Sequence, residues 1–556
     1  MSAYEGMSFA DLLLARQGDQ RTALLFEDER HSWDDVVRAS AVRAALARDR
    51  LDPARSPHVG VLLENTPEYL YWLGGAALER VTAVGINPTR RGAELARDVR
   101  HTDCQLIVTN REHLPLLDLD GIGLRRDQVL VVDDEPYLAT LAEQSDTALP
   151  VTAVQPDDRL LLLFTSGSTG GPKAVICSQG RIVRIVDNIQ RLNDLSSTTV
   201  AYLSMPMFHG NALMVNVTPM VALGGTIAMR RRFSASGFLP DVRRFGATFF
   251  NYVGRALAYV LATPEHPDDA DNTLQVGFGT EASQADRERF ERRFGCRLVE
   301  SYGCSEGDVH INPTPGMPAG ALGRALPGTE VAIVNPDTGR ECEPARFDAG
   351  GALANGEAAL GELVARGAAG RFEGYYNNPE ATSRRIRGGD VWTGDFGYRD
   401  ADGFIYFAGR SADLLRVDSE NFAAAPVERI LLRQPGVVMC AVYAVPDART
   451  GDQVMAALEL TDGRAFDPVE FEDFLRAQPD LGKPWAPRFV RVVEHIPLTP
   501  TSKVLKGPLR REAWRTDDPM WWRRGRELRY EPFTAADRAD LERELAAHGR
   551  MALVGA

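Results

Sequence analysis

The stretch LLLLFTSGSTGGPKAV, residues 160–175, constrains the fold more than any other part of the chain. Four leucines and a phenylalanine form a short apolar run that reads as a buried strand. The run empties into a loop of Ser, Thr, Gly, Pro and one Lys. Beyond it, in RIVRIVDNIQRL, Ile182, Ile185, Val186, Ile189 and Leu192 fall at helical spacing. Comparable apolar runs, VGVLL (59–63), TAVGI (82–86) and QLIVT (105–109), alternate with helical patterns along most of the chain. That alternation predicts an α/β fold.

At 556 residues the chain is too long for one hydrophobic core. After YFAGRSADLL it restarts as a smaller unit. APVERILLRQ reads as a helix, VVMCAVYAV and MAALEL as strands, and DPVEFEDFL as a helix capped by Asp467, with Pro468 in its first turn and Glu470 following. A boundary near Arg410 divides the chain into a large multi-subdomain N-terminal domain, 1–410, and a small C-terminal α/β domain, 411–556. The Gly/Ala-rich DAGGALANGEAALGE (348–362) reads as a surface loop.

Charge and cysteine usage exclude several classes. With 63 Lys+Arg against 77 Asp+Glu the net charge is −14, which argues against general nucleic-acid binding and requires a local basic site for any anionic substrate. The tail AWRTDDPMWWRRGRELRYEPF interleaves arginine with aromatics. In so acidic a chain it reads as a segment packing its Trp residues on the small domain. Six scattered cysteines without a C-x-x-C pair suit a reduced, cytoplasmic protein and give no zinc site. The first residues lack the basic-then-apolar pattern of a secretory signal. The longest apolar stretch, ALMVNVTPMVALGGTIAM, is broken by Asn, Pro and Gly, so no membrane anchor is expected.

Three segments compete for the chemistry. The 165–173 loop offers backbone N–H groups, hydroxyls and the Lys173 cation to a polyphosphate, and its glycines permit close approach. It is not a Walker A loop, because Lys173 follows Pro172 and precedes Ala174. SYGCSEG (301–307) matches the G-x-S-x-G nucleophile elbow. An elbow needs a helix directly behind its serine, and DVHINPTPGMPAGALG, rich in Pro and Gly, cannot supply one. VGFGTEA contains Gly277-x-Gly279-x-x-Ala282 between a strand and a helix, with Glu300 downstream, and mimics a dinucleotide fingerprint. Glu281 would then face the pyrophosphate at the helix start, where negative charge is unwelcome.

The 165–173 loop resembles the signature loop of the adenylate-forming superfamily, which includes acyl-CoA synthetases, luciferases and peptide-synthetase adenylation domains. The resemblance continues in order over roughly residues 8–510 through GELVARGAAGRFEGYYNNPEAT, WTGDFGYRDADGFIYFAGR and LTPTSKVLKGPLRRE. It implies ATP, Mg²⁺ and coenzyme A as cofactors and cosubstrates. It also implies a two-step reaction through an acyl-adenylate, with the C-terminal domain rotating between steps. Thr165, Ser166, Gly167, Ser168, Thr169, Gly170, Lys173 and Ser305 would bind phosphates. Gly279, Thr280, Glu281 and Ala282 would line the adenine pocket and Tyr302 would flank the base. Asp395 and Arg410 would hold the ribose, and Glu306 the metal. Lys503 would be the catalytic lysine, with Lys506 as its competitor. Ala412 and Asp413 would form the hinge, and Ser419 and Glu420 would lie at the coenzyme tunnel. Ser502 precedes Lys503 where the family usually has Gly, and Ala412, Ser419 and Ala174 also depart from the usual residues; these last three keep open an enzyme specialised for one half-reaction.

At the substrate position Phe208-His209 replaces the Phe-Asp of amino-acid-activating relatives, so nothing there pairs an ammonium. RRRFSASGFLPDVRRFGATFFNYVGRALAYVLATP resembles the fatty-acid-transport and very-long-chain acyl-CoA synthetase branch, which implies a bulky, apolar acid. His209, Val253, Gly254, Gly277 and Gly303 are the candidates for the acyl wall. The expectation is an acyl-CoA ligase, with room for a homodimer; the alternatives are a one-half-reaction enzyme and a non-catalytic nucleotide-binding relative.

Overall fold

The computed structural model describes residues 3–554, apart from 146, 151, 166–172, 283, 305, 307–308, 349–352, 411–412, 418–419, 449–450, 482–484, 500–502 and 526. The fold is mixed α/β, as the alternation of apolar runs predicts. It divides into two compact units: Met1–Ala282 with Asp286–Glu300 and Arg371–Arg384, and Ser301–Gly370 with Arg385–Ala556 and the short Ser283–Ala285.

Two sheets build the first unit. One runs in the order Arg297–Glu300, Val276–Thr280, Phe249–Val253, Val200–Leu203, Thr226–Met229, Thr22–Phe26, Glu29–Ser32, parallel except for its last pair. The other runs Tyr375–Tyr376, Ala174–Ser178, Arg159–Phe164, Thr82–Gly85, His58–Leu62, Leu106–Thr109, Val129–Val131. Its pairs are parallel from Arg159–Phe164 onward and antiparallel before it. The strand His58–Leu62 is buried at every position, as a parallel strand covered on both faces should be. Helices such as Trp33–Arg50 and Pro67–Leu78 pack the fully buried Trp33 and Trp72 into the core.

One expectation changes here. The segment after the glycine-rich loop is not immediately helical. Ala174–Ser178 forms a strand antiparallel to Arg159–Phe164, with Phe164 opposite Ala174, so the loop is the turn of a hairpin. The helices Gln179–Arg184 and Val186–Asn193 follow only after it. The apolar run at 174–177 has the β-branched content of a strand, and only its shortness and the preceding glycines disguise it.

In the second unit, Val331–Val334, Gly361–Ala365, Asp390–Arg399 and Ile386–Arg387 form an antiparallel sheet, and Ile405–Arg410 also pairs with Asp390–Arg399. Within the stretch 348–362, the described residues include the short helix Gly356–Ala359, and Gly361 already begins a strand. Further along, Val437–Pro446, Asp452–Leu460, Phe489–Val493, Met520–Trp522 and Glu531–Pro532 form a second sheet. Asp467 caps the helix Pro468–Arg476 by accepting from the N–H groups of Val469 and Glu470. Glu470 turns instead to Arg464. The Arg/Trp-rich tail is structural: Trp514 is fully buried, Trp522 stacks on Phe489 at 5.9 Å, and Arg523 donates to the carbonyls of Ala486 and Pro487. Among the described residues no helix is long and apolar enough to cross a membrane, and the six cysteines are free.

Candidate active site

In the first unit the two residues that flank the glycine-rich loop are described. The Thr165 N–H donates to the Lys173 carbonyl at 3.1 Å, and the Lys173 ammonium lies 5.9 Å from the centre of the Tyr375 ring on the neighbouring strand. Ser166, Gly167, Ser168, Thr169 and Gly170 lie outside the described residues. Ala174, where relatives often carry glycine, is fully buried between Phe164 and Tyr376. Its methyl group is part of the sheet packing.

The proposed adenine segment is held by a buried acid. Glu300 accepts from the Ala282 N–H at 2.8 Å and from the Tyr252 hydroxyl at 3.3 Å, with Arg287 at 3.9 Å. Burial raises the pKa of Glu300, and burial followed by the Glu300 charge raises that of Tyr252. Glu281 adopts a left-handed φ of 70°, which turns the chain sharply after the strand Val276–Thr280. A Cβ at Gly279 would lie 2.4 Å from the Tyr252 ring, and one at Gly254 would lie 2.2 Å from the Glu281 carbonyl oxygen. These two glycines let the ends of adjacent strands close on one another. At Gly277 the missing side chain makes room for Phe250 and Leu298, both within 2.6 Å of where a Cβ would stand.

Beside this segment the substrate-side residues are pinned by amides. Asn65 donates to the carbonyls of Met205 and Arg230 and accepts from the Met207 N–H. The His209 ring packs at 4.4 Å from that of Phe208. A π-helix follows at Ala212–Val217, a form found mostly as single turns and often at functional sites. From it Asn216, fully buried, donates to the Tyr202 carbonyl and to Asn251, and Asn251 donates to Asn211. Val253 is buried on the same strand as Asn251. The asparagines in FFNYV and ALMVNV, alone in apolar runs, were the available signal for this relay.

In the second unit Asp395 and Arg410 share one sheet, and Tyr302 meets Asp395 from a separate short sheet. Tyr302 donates its hydroxyl to Asp395 at 2.5 Å, and its ring lies 6.0 Å from that of Phe407. Burial, then the Asp395 charge, raises the Tyr302 pKa well above its ordinary value. Asp395 stands opposite Arg410 in the strand register and donates its own N–H to the Thr393 hydroxyl oxygen at 3.1 Å. Gly394, at φ 72°, donates its N–H to Glu362 at 2.6 Å. Gly303 pairs with His310 on a short antiparallel ladder and is exposed.

Glu306 is only 7% exposed. Arg385 donates to it at 3.0 Å and, through its other terminal nitrogen, to the Trp392 carbonyl at 2.8 Å. A buried carboxylate is a hard oxygen donor of the kind that shares magnesium with substrate phosphates, and here it is paired with Arg385. Ser305 lies outside the described residues. Arg385 was not among the residues read from the sequence, because in SRRIRGG nothing separates it from its arginine neighbours.

Lys503 is held by Thr499. Thr499 donates its N–H to the Lys503 carbonyl at 2.8 Å, and the Lys503 N–H donates to the Thr499 hydroxyl at 3.0 Å. Leu498 and Val504 close the turn by a β-bridge. Lys506 instead starts the helix Lys506–Glu512 and is taken up by Glu428 at 2.8 Å and Asp413 at 3.7 Å. Arg510 also reaches Asp413, at 3.3 Å. Ala412 and Ser419 lie outside the described residues, and Glu420 begins the strand Glu420–Ala423, which pairs with Leu414–Val417.

Residues 14–376 match the family model described as AMP-binding enzyme, and residues 426–503 match the AMP-binding enzyme C-terminal domain. The chain is 51% identical over 550 residues to a steroid-22-oyl-CoA synthetase of Rhodococcus jostii, covering 98% of each. It is 45% identical to the medium/long-chain-fatty-acid–CoA ligase FadD17 of Mycobacterium tuberculosis, over 92% of this chain and 97% of that one. Among solved structures, the anthranilate CoA ligase AuaEII with anthranoyl-AMP superposes with a TM-score of 0.81 at 20% identity, covering 92% of this chain and 99% of the other. ATP-bound MatB of Rhodopseudomonas palustris gives 0.77 at 22%, covering 90% and 97%. The large N-terminal and small C-terminal parts of the fold are those of such enzymes. The chain therefore belongs to the AMP-binding, adenylate-forming enzyme family and is an ATP-dependent, AMP-forming acid–thiol ligase.

Proposed function

We propose that this enzyme joins a steroid acid bearing its carboxyl at the end of a short side chain to coenzyme A. The observation that carries the reading is the 51% identity, over 98% of both chains, to an enzyme named for steroid-22-oyl-CoA synthesis. A medium- or long-chain fatty acid is the second reading, favoured by the FadD17 relatives at 44–45%. Both are bulky, apolar acids, and neither carries an ammonium that would need a carboxylate beside Phe208-His209.

The reaction is proposed in two displacements. A carboxylate oxygen of the acid attacks the α-phosphorus of ATP; the bond to the bridging oxygen breaks and pyrophosphate leaves. The coenzyme thiolate then attacks the acyl carbon, the C–O bond to AMP breaks, and the thiol proton goes to solvent. Charge builds around the α-phosphorus in the first step, so positioned cations and donors carry most of the catalysis. In this scheme Lys503 bridges the carboxylate and the α-phosphate, while Thr165, Lys173 and the loop between them, with Ser305, hold the phosphates. Bound magnesium supplies charge neutralisation there, and Glu306 is the residue that would hold it. Tyr302 and Gly279–Ala282 flank the adenine, and Asp395 and Arg410 take the ribose hydroxyls. His209, Val253, Gly254, Gly277 and Gly303 surround the acid. For Gly254 and Gly277 that role is one of backbone approach, since their missing side chains make room for protein atoms.

The proposed domain boundary at Arg410 places Ala412 and Asp413 at the hinge, with Ser419 and Glu420 toward the coenzyme. The same reading places the enzyme in the cytoplasm, which six cysteines without a disulfide support. A homodimer is part of the same reading, and sedimentation decides it. The substrate is tested by kcat/KM for coenzyme-dependent AMP release with a steroid-22-oic acid against straight-chain fatty acids. Preference for the steroid acid by tenfold or more supports the first reading; preference for a fatty acid moves the assignment to the second.

A further inference from the structure

The pair between Glu306 and Arg385 has a consequence for how nucleotide and metal enter. Glu306 is buried, and a buried carboxylate is stable only with a counter-charge or donors close by. Arg385 provides one at 3.0 Å, while its other terminal nitrogen is anchored on the Trp392 carbonyl at 2.8 Å. That same nitrogen lies 3.3 Å from where a Cβ on Gly394 would stand, and Gly394 has a left-handed φ of 72°. Glycine at 394 thus leaves the guanidinium its place against the turn that carries Asp395, the proposed ribose ligand. The fork is therefore fixed at two points, the proposed metal carboxylate and the Trp392 carbonyl. Its side chain keeps 24% of its exposure, so one face remains open to a ligand.

A metal ion and a guanidinium cannot take the same carboxylate oxygen at bonding distance, because like charges that close repel strongly. We propose that Arg385 occupies the cation position on Glu306 in the nucleotide-free enzyme, and that when the metal–nucleotide complex takes that carboxylate the guanidinium passes to the phosphate oxygens and becomes a polyphosphate ligand. The planar fork suits two phosphate oxygens, and the Trp392 anchor keeps it at hand. The arrangement ties metal entry to nucleotide entry: free metal alone must displace an ion pair and gains no phosphate in return. This rests on Glu306 being the metal carboxylate.

The test is Mn²⁺ binding, read by electron paramagnetic resonance without nucleotide, together with calorimetric binding of inorganic pyrophosphate, for the wild type, Arg385→Met, Arg385→Lys and Glu306→Gln. Losing one charge-assisted contact shifts an affinity by about tenfold or more. Arg385→Met should therefore bind Mn²⁺ about tenfold more tightly and pyrophosphate about tenfold more weakly. Arg385→Lys keeps the charge and should recover part of both shifts, which also covers the case in which the methionine variant folds poorly. Mn²⁺ and pyrophosphate affinities both unchanged in Arg385→Met, or in Arg385→Lys if only that variant folds, overturn the proposal. If Glu306→Gln leaves Mn²⁺ binding in the presence of pyrophosphate unchanged, the metal assignment fails by itself, and the pyrophosphate arm still judges Arg385 as a phosphate ligand.

Discussion

Two neighbouring lysines, Lys503 and Lys506, sit in opposite surroundings. Lys506 is largely buried at the start of a helix, held between Glu428 and Asp413, and Arg510 shares the second carboxylate. Burial alone would lower its pKa, but Glu428 and then Asp413 outweigh that, and the pKa is raised. Lys503 is half-buried, and its backbone exchanges two hydrogen bonds with Thr499. A charge enclosed by two carboxylates on its own unit, as that of Lys506 is, belongs to the architecture. The sequence left both lysines as candidates, and this difference favours Lys503 as the reacting one.

The sharpest way to break the contrast is to swap the expected phenotypes. Lys506→Met strands Glu428 in the interior, and removing one partner of a buried ion pair costs about 3–5 kcal/mol. Urea unfolding should show that loss; a loss under about 1 kcal/mol would mean the pair is no better than a surface bridge. Because the Lys506 pKa is raised on folding, its contribution is complete below 10.5 and is lost as the pH climbs through the higher folded value. The wild type should therefore weaken at strongly alkaline pH, and Lys506→Met should lack that part of the decline.

Lys503→Ala should do the reverse. Losing a cation at the developing charge lowers acyl-AMP formation by about 10²–10³-fold, with the unfolding midpoint unchanged. Thioester formation from a supplied acyl-adenylate should stay near the wild-type rate, as the first step alone uses this lysine. Equal damage to both steps would merge the two lysines into one structural class.

Tyr302→Phe comes next, because it removes a hydrogen bond to a carboxylate worth about 1.5–3 kcal/mol. A rise in the KM for ATP and a matching loss of stability are expected; no change in either would separate Tyr302 from Asp395. The smallest effect belongs to Glu300, the buried acid behind the adenine segment. Its pKa is raised by burial, so its folded-state advantage is complete below 4.5 and declines as the pH rises through the folded value. Glu300→Gln keeps an acceptor for the Ala282 N–H and should match the wild type in acid while gaining about 0.5–1.5 kcal/mol toward neutral pH. A constant difference across that range would show that Glu300 does not titrate with folding.

Much of the fold was legible where one physical signal dominated. The runs at 58–62, 82–85 and 106–109 are buried strands because nothing but apolar burial suits them. The strand Ala174–Ser178 was hidden because a short run after glycines and a proline has no period long enough to read. The return of Arg371–Arg384 to the first unit was hidden for another reason: Tyr375–Tyr376 is a two-residue edge strand, recognised only by the neighbour it pairs with. At the site, residue types at family spacing pointed to Lys503, Glu306 and Asp395. Arg385 and Asn65 owe their places to partners distant in the chain, Glu306 for one and the 205–207 backbone for the other, and no local pattern marks such pairings.

The central claim is that one protein carries an acid through its adenylate to the thioester. It is tested most directly by a single-turnover reaction of enzyme, ATP, Mg²⁺ and a steroid-22-oic acid, quenched and analysed by mass spectrometry before and after coenzyme A is added. The account predicts enzyme-bound acyl-AMP before the addition, then AMP and acyl-CoA released in equal amounts. Acyl-AMP that persists after coenzyme A is added, or thioester formed only from a supplied adenylate, would contradict it.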